Sequence, residues 1–313
     1  GFFFIISFIG LGIVMAMTPL VAIAVGSADR EKCSVVFQQG IWVSFFTGVI
    51  LNLITFFGAE LIPYMDQPPE VAKLAVSYTQ IISLSTIPML VFTAYKQFIE
   101  GLSFTRPAMV VAILANFFNI FFNWIFIYGN LGIEPMGLDG AGIATLGSRI
   151  FMLISLALFV HKNTEFTRFN LKVFQFKGIN EIGKEILRIG VPSGFQYFFE
   201  VGCFATAAFM VGWIGKDELA SHQIALNVSS ITYLACLGLS TAGTIRVGNA
   251  LGAGDITGVK RAGSVALFMG ASFMIFAGLS FIVFNELIPT LYTSDAEVVM
   301  FAPKLLMIAA FFQ

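Results

Sequence analysis

The sequence predicts an all-α polytopic membrane protein, and three observations carry that prediction. Of its 313 residues 58% are hydrophobic and only 11% charged, where a soluble domain carries about 25% charged residues. The apolar residues gather in runs long enough for a membrane helix, which needs about 20 of them. The polar loops between the runs alternate in charge along the chain. The 36 Phe, 30 Gly and several Pro lie largely inside the apolar runs, a mixture more frequent in membrane helices than in soluble ones.

Several function classes are excluded at this level. The net charge is -1 and no Lys/Arg run is long enough to follow a phosphate backbone, so no nucleic-acid partner is expected. Cys33, Cys203 and Cys236 have neither CxxC spacing nor an even count and read as small apolar fillers. His161 and His222 are too far apart for an HExxH-type site. No metal centre and no organic cofactor are expected.

Nine apolar segments follow in order: 1–25, 34–58, 71–97, 107–128, 140–161, 186–214, 219–246, 259–284 and 297–313. The chain begins and ends inside apolar sequence, without an initiator Met or a signal peptide, so an internal piece of a longer protein is expected. The loops after the first, third, fifth and seventh segments hold nearly all the loop Lys and Arg: 26–33 with SADREK, 98–106 with EGLSFTRP, 162–185, and 247–258 with Arg246, Lys260 and Arg261 at its edges. The intervening loops, GAELIPYMDQPPE, GNLGIEPMGLDG, GKDE and NELIPTLYTSDAE, are acidic or neutral apart from Lys216. Short basic loops stay cytoplasmic, so the first segment runs inward and the basic loops face the cytoplasm. A multi-pass protein of the bacterial inner membrane is expected. Trp124 and Tyr128 sit near the outer end of the fourth segment, where an aromatic belt belongs.

Glu60 to Pro63 and Glu286 to Pro289 both read ELIP, 226 residues apart. The same register lays Gly26 on Gly252 and Asp29 on Asp255, just past the end of a helix in each case. One offset relates landmarks in two different loops, which marks an internal duplication. The shift moves the first segment onto the seventh, an even number of helices, so direction is preserved and the halves are parallel repeats, an arrangement common in transporters. The polar stretch 163–185 is the expected linker. An N-terminal lobe over 1–162 then lacks its first helix, and a C-terminal lobe over 186–313 stops in its fourth.

Polar stripes run through the apolar segments. In GVPSGFQYFFEVG, Ser193, Gln196, Tyr197 and Glu200 share one helix face. Glu200 is the one carboxylate deep within a segment. A charge at mid-membrane costs at least about 2.5 kcal/mol, so such residues face a cavity and mark an ion or substrate path. The competing reading is a protonated or paired Glu kept for packing, with Arg149 at similar depth in the fifth segment as candidate partner. Pro192 and Gly190 interrupt the same helix and free carbonyls able to help hold a cation. Asn116, Asn119 and Asn123 form a second stripe, and Gln223, Asn227 and Ser230 a third; each serves either as interhelical glue or as cavity lining. Lys304 reads as snorkelled, and the run GLSTAGTIRVGNALGAG as close helix packing.

The runs MTPLVAIAVGSADREK, NIFFNWIFIYGNLG, GLDGAGIATLGSR, GVPSGFQYFFEVG, ASHQIALNVSS and IRVGNALGAGD together resemble the MATE family, the multidrug and toxic compound extrusion transporters, and most closely its NorM-like bacterial branch. The resemblance covers essentially the whole chain. It implies twelve helices in two pseudo-symmetric lobes, of which about nine, the family's second to tenth, are present. It also implies export of drugs and organic cations in exchange for Na+ or H+, by a monomer embedded in the bilayer. Glu200 matches the family's cation-coupling carboxylate on the seventh helix, a site where Na+ would bind, and Asn119 and Asn123 match polar positions of the other lobe's cavity. Phe312 stands where a tyrosine often precedes the glutamine, here Gln313, that comes before the tenth-helix acid.

Two rival readings belong to other classes. A lipid or saccharide flippase of the same superfamily has a cavity rich in Arg and Lys, whereas the interior here offers Glu200, several Asn and only Arg149 and Lys304 as bases. An intramembrane enzyme needs a nucleophile with its base or a metal cluster, which the scattered Cys and His do not supply, so catalysis is not expected.

Overall fold

The structure, a computed structural model, describes residues 2–64, 68–171 and 178–312. Positions 65–67 of the first acidic loop, 172–177 of the expected linker, and Gln313 lie outside the described residues. Among the described residues every regular element is helical: α1 (Phe2–Met15), α2 (Met17–Gly26), α3 (Arg30–Gly58), a 3-10 turn (Ala59–Tyr64), α4 (Pro69–Leu84), α5 (Thr86–Gly101), α6 (Arg106–Tyr128), α7 (Gly137–Lys162), α8 (Thr164–Thr167), α9 (Glu181–Gly212), α10 (Lys216–Gly252), α11 (Ile256–Val283), α12 (Leu287–Tyr292) and α13 (Ala296–Phe312). Among these residues eight stretches are long and apolar enough to cross a membrane, and they match the first eight segments read from the sequence. The ninth segment is helical as α13, over 17 residues. The protein is an all-helical, multi-pass membrane protein.

Two spans are each built from two helices, and proline explains both breaks. Pro19 and Pro88 lack an N–H, so the carbonyls four residues earlier, on Met15 and Leu84, lose their helical partners. Those residues are the last of α1 and of α4. Several hydroxyls inside the spans fold back on the preceding turn, as Ser44 does to the Gly40 carbonyl at 2.7 Å and Thr55 to that of Leu51 at 2.8 Å. A Ser or Thr satisfied this way costs little in hydrocarbon.

By contacts between Cα atoms the chain divides into two compact units, Gly1–Phe199 and Glu200–Gln313. The first is organised around Phe37 of α3, fully buried against Tyr95 and Phe98 of α5, with ring centroids 5.1 and 4.5 Å away. Phe166 of α8 closes this core from below, against Phe104 and Phe159. The start of α9 joins the same unit through glycine. A Cβ on Gly194 would stand 2.5 Å from the Ile9 carbonyl oxygen of α1, and one on Gly12 would stand 2.5 Å from the Gly194 Cα. The second unit packs α10, α11 and α13 together, with Phe281 and Leu306 buried and the Ser221 hydroxyl 3.1 Å from the Val298 carbonyl.

The offset of 226 recurs in geometry. Asp29 caps α3 by accepting from the Lys32 amide at 2.8 Å, and Asp255 caps α11 by accepting from the Gly258 amide at 2.8 Å. Their backbone angles agree, φ -86° and ψ 89° against φ -86° and ψ 86°. Each follows a residue in the left-handed region, Ala28 at φ 55° and Gly254 at φ 74°, which ends α2 and α10 by the usual left-handed C-terminal turn. At ELIP the copies differ, a 3-10 turn in the first and the α-helix α12 in the second.

Gly194→Leu must force α1 and α9 apart, and overpacking of this kind costs about 1–3 kcal/mol or more. A thermal unfolding scan in detergent should show a lower midpoint for Gly194→Leu, and a near-normal one for Gly202→Leu, where an added Cβ meets open space.

Candidate functional site

Glu200 lies in α9, which runs unbroken through Pro192. The proline leaves the Arg188 carbonyl without its helical donor, and the Ser193 hydroxyl bonds the Ile189 carbonyl beside it at 3.0 Å. From this weakened turn the stripe predicted from the sequence continues outward. Ser193, Tyr197 and Glu200 are half-buried and Gln196 is exposed. Among the described residues Glu200 has neither a hydrogen bond from a side chain nor an ion pair within 4.0 Å.

The asparagine stripe occupies the middle of α6. The Asn123 amide donates to the Asn119 side-chain oxygen at 2.9 Å, both half-buried, while Asn116 one turn earlier is exposed. The Asn123 Oδ1 is buried without a partner, an acceptor already stripped of water and free to take a donor or a cation. On the neighbouring face of α6 stand Phe118, Phe122 and Phe126, with Phe118 stacked on Phe151 of α7 at 4.9 Å. These rings fix the α6–α7 packing and so hold the asparagines in place.

On α10 the candidates separate. Gln223 is exposed, whereas the Asn227 side-chain oxygen accepts from the Tyr292 hydroxyl of α12 at 2.8 Å. The buried His222 Nε2 and Ser229 hydroxyl on the same helix have no partner. Lys304 sits over the Phe301 ring at 5.9 Å.

Arg149 of α7 donates to the Ser85 hydroxyl, at the break between α4 and α5, and its guanidinium lies 5.4 Å from the centre of the Phe3 ring. Both partners are neutral and belong to the first unit. Sequence reasoning missed this polar patch. Ser83, Ser85 and Thr86 are buried to 1% or less, and the side-chain oxygens of Thr86 and of Asn52 on α3 are buried without a partner. Gly48, one turn before Asn52 on α3, meets Ile87 of α5 just after the break. The available signal was a lone amide within LITFF-type apolar sequence, opposite a proline break.

Comparison with known proteins gives a consistent result. A family model described as MatE matches residues 1–125 and 192–313. The multidrug resistance protein NorM of Photobacterium profundum is 33% identical over 304 residues, which cover 97% of this chain and 67% of that protein. NorM of Vibrio cholerae is 33% identical over 306 residues, covering 97% of this chain and 66% of that one. Among solved structures, a crystal structure of MATE in the straight conformation superposes with a TM-score of 0.85 at 21% identity, over 99% of this chain and 68% of that one. The chain thus spans about two thirds of the length of the relatives it matches.

The neutral partners of Arg149 predict how it responds to mutation. In a double-mutant cycle on the full-length protein, Arg149→Gln and Glu200→Gln should be additive in stability within about 0.5 kcal/mol. Coupling well above 1 kcal/mol would instead establish the two as an ion pair.

Proposed function

Because this chain belongs to the MatE family, whose members include the multidrug resistance protein NorM, we propose that the full-length protein is an antiporter that exports drugs and organic cations in exchange for Na+ or H+. It works by alternating access between two pseudo-symmetric lobes, the first ending near residue 162 and the second beginning near residue 186. Glu200 is the coupling carboxylate. The observation that carries this reading is the position of Glu200 within an apolar helix, on a polar face, without a basic partner among the described residues.

Such a carboxylate has few stable states. It can hold a proton, bind Na+ or pair with a cationic drug. A proton, Na+ and a cationic drug therefore compete for one group. When each occupant stabilises a different opening of the lobes, the inward fall of the ion drives the drug outward. The amides of Asn119, Asn123, Gln196 and Gln223 supply neutral dipoles for a cavity wall, a lesser role than that of the acid. Export of cations is favoured over flipping of anionic head groups because the apolar spans hold few bases, and Arg149 is engaged by Ser85 and Phe3.

The loops 26–33, 98–106, 162–185 and 247–258, the last flanked by Arg246, Lys260 and Arg261, face the cytoplasm of a cell whose inner membrane holds the protein as a monomer. In intact cells, with Cys33, Cys203 and Cys236 replaced, a single cysteine at Asn130 should react with an impermeant thiol reagent and one at Asn180 should not. The reverse labelling would invert the topology.

Glu200→Gln keeps shape and fixes the site neutral. In proteoliposomes with Na+ and pH gradients imposed separately, the variant should insert normally yet lose gradient-driven efflux, while Asn119→Ala and Asn123→Ala weaken transport less. Wild-type pumping by Glu200→Gln would make the residue structural.

A further inference from the structure

Gln39 is an amide in an odd place. It lies on α3, 4% exposed, in a stretch otherwise given over to apolar packing. A buried amide without partners is costly, and Gln39 finds its partners about 140 residues away. Its Nε2 donates to the Gly178 carbonyl at 3.2 Å, and its Oε1 accepts from the Asn180 amide at 3.2 Å. Asn180 is itself the N-cap of α9, its side chain accepting from the Gly183 amide at 3.0 Å.

Two glycines let the chain come so close. Gly178 has φ 87°, a left-handed conformation that other residues avoid. At Gly183 an added Cβ would stand 2.5 Å from Gln39 Oε1, so the first turn of α9 lies flush on the amide. Further along, the Ser34 hydroxyl donates to the Asn170 carbonyl at 3.3 Å, a second tie between α3 and the segment after α7. The duplication shows that the repeat fold itself does not require this amide. At the offset of 226, Gln39 falls on Val265 of α11, an apolar residue 50% exposed.

We propose that Gln39 is a positioning residue for transport: it clamps the first turn of α9 to α3 throughout the cycle. Residues 181–194 of α9, closely packed on α1, then stay with the first unit, so on this helix the joint between the moving lobes falls after Gly194 rather than near residue 186. Whatever motion Glu200 makes is taken up between Gly194 and Glu200 itself. The bidentate amide fixes both the height and the rotation of the helix start, and so sets the direction in which the Glu200 face points. The statement about the cycle rests on the alternating-access reading above, whereas the clamp does not.

Two measurements on the full-length protein test it. The first is amide hydrogen exchange in detergent, which needs no transport. Gln39→Leu matches the shape but cannot bond, and it should speed exchange of the amides of 181–186 about tenfold or more while leaving α5 unchanged. Unchanged exchange in 181–186, or equal acceleration everywhere, would overturn the clamp. The second replaces the native cysteines, introduces Gln39→Cys with Gly183→Cys, and joins the pair by oxidation or by a short bifunctional thiol reagent. The cross-linked protein should transport ethidium within about twofold of the same protein after reduction, since a joint that never opens loses nothing by being made covalent. Transport lost on cross-linking and recovered on reduction would show that α9 must leave α3, and failure of the pair to cross-link would show that the two sites are not adjacent. Either result sinks the proposal.

Discussion

A backbone amide in hydrocarbon has no water to turn to, and almost every feature of this chain answers that constraint. It makes each apolar run a helix. It also means that any residue unable to close the i→i−4 bond must be answered locally. Pro19 and Pro88 end α1 and α4 at the residues whose carbonyls they orphan, and Ser85 bonds the Ile82 carbonyl at the second break. Pro192 does not end α9, whose neighbouring Ser193 hydroxyl stays on the helix. The breaks are therefore where backbone polarity and side-chain polarity meet inside the membrane. Arg149 is found at one of them, and the Glu200 stripe begins at the turn weakened by Pro192.

The same constraint decides what could be read from the sequence. Helix existence was legible because one long apolar run has one stable answer in lipid, and among the described residues eight runs are helical over a spanning length. The Asp29 and Asp255 caps were legible as a repeat because a cap is a local device, fixed by three or four residues. The turn at ELIP was legible as a recurring loop but not as two different helical turns, since that choice depends on what each loop packs against. Glu200 and the asparagine pair could be placed on helix faces from spacing alone. The partners of Arg149, the Asn227–Tyr292 bond and the reach of Gln39 could not, because each joins elements far apart in the chain.

Duplication explains why the two units share caps and helix boundaries, and departures from it show where the copies took on separate work. A repeat inherits what its fold needs. Residues present in one copy and replaced by apolar residues in the other answer needs particular to one half. Gln39 against Val265 is such a departure, and the half with the amide is the half that receives the segment leading into α9. The carboxylate follows a related logic. Glu200 lies on α9, whose start is bonded to α3 through Gln39.

That arrangement bears on how one acid can couple two fluxes. In the proposed mechanism the occupant of Glu200 must bias a choice between two openings, and a charge can do so only if its surroundings differ between them. A residue held rigidly by one unit would keep nearly the same neighbours throughout, whereas one on a free helix would have no fixed reference. In that mechanism a helix tied at its start and packed through Gly190 and Gly194 would give the carboxylate a fixed root. A difference of about 1.4 kcal/mol in hydration or cation contact between two positions of the carboxylate would change its occupancy tenfold.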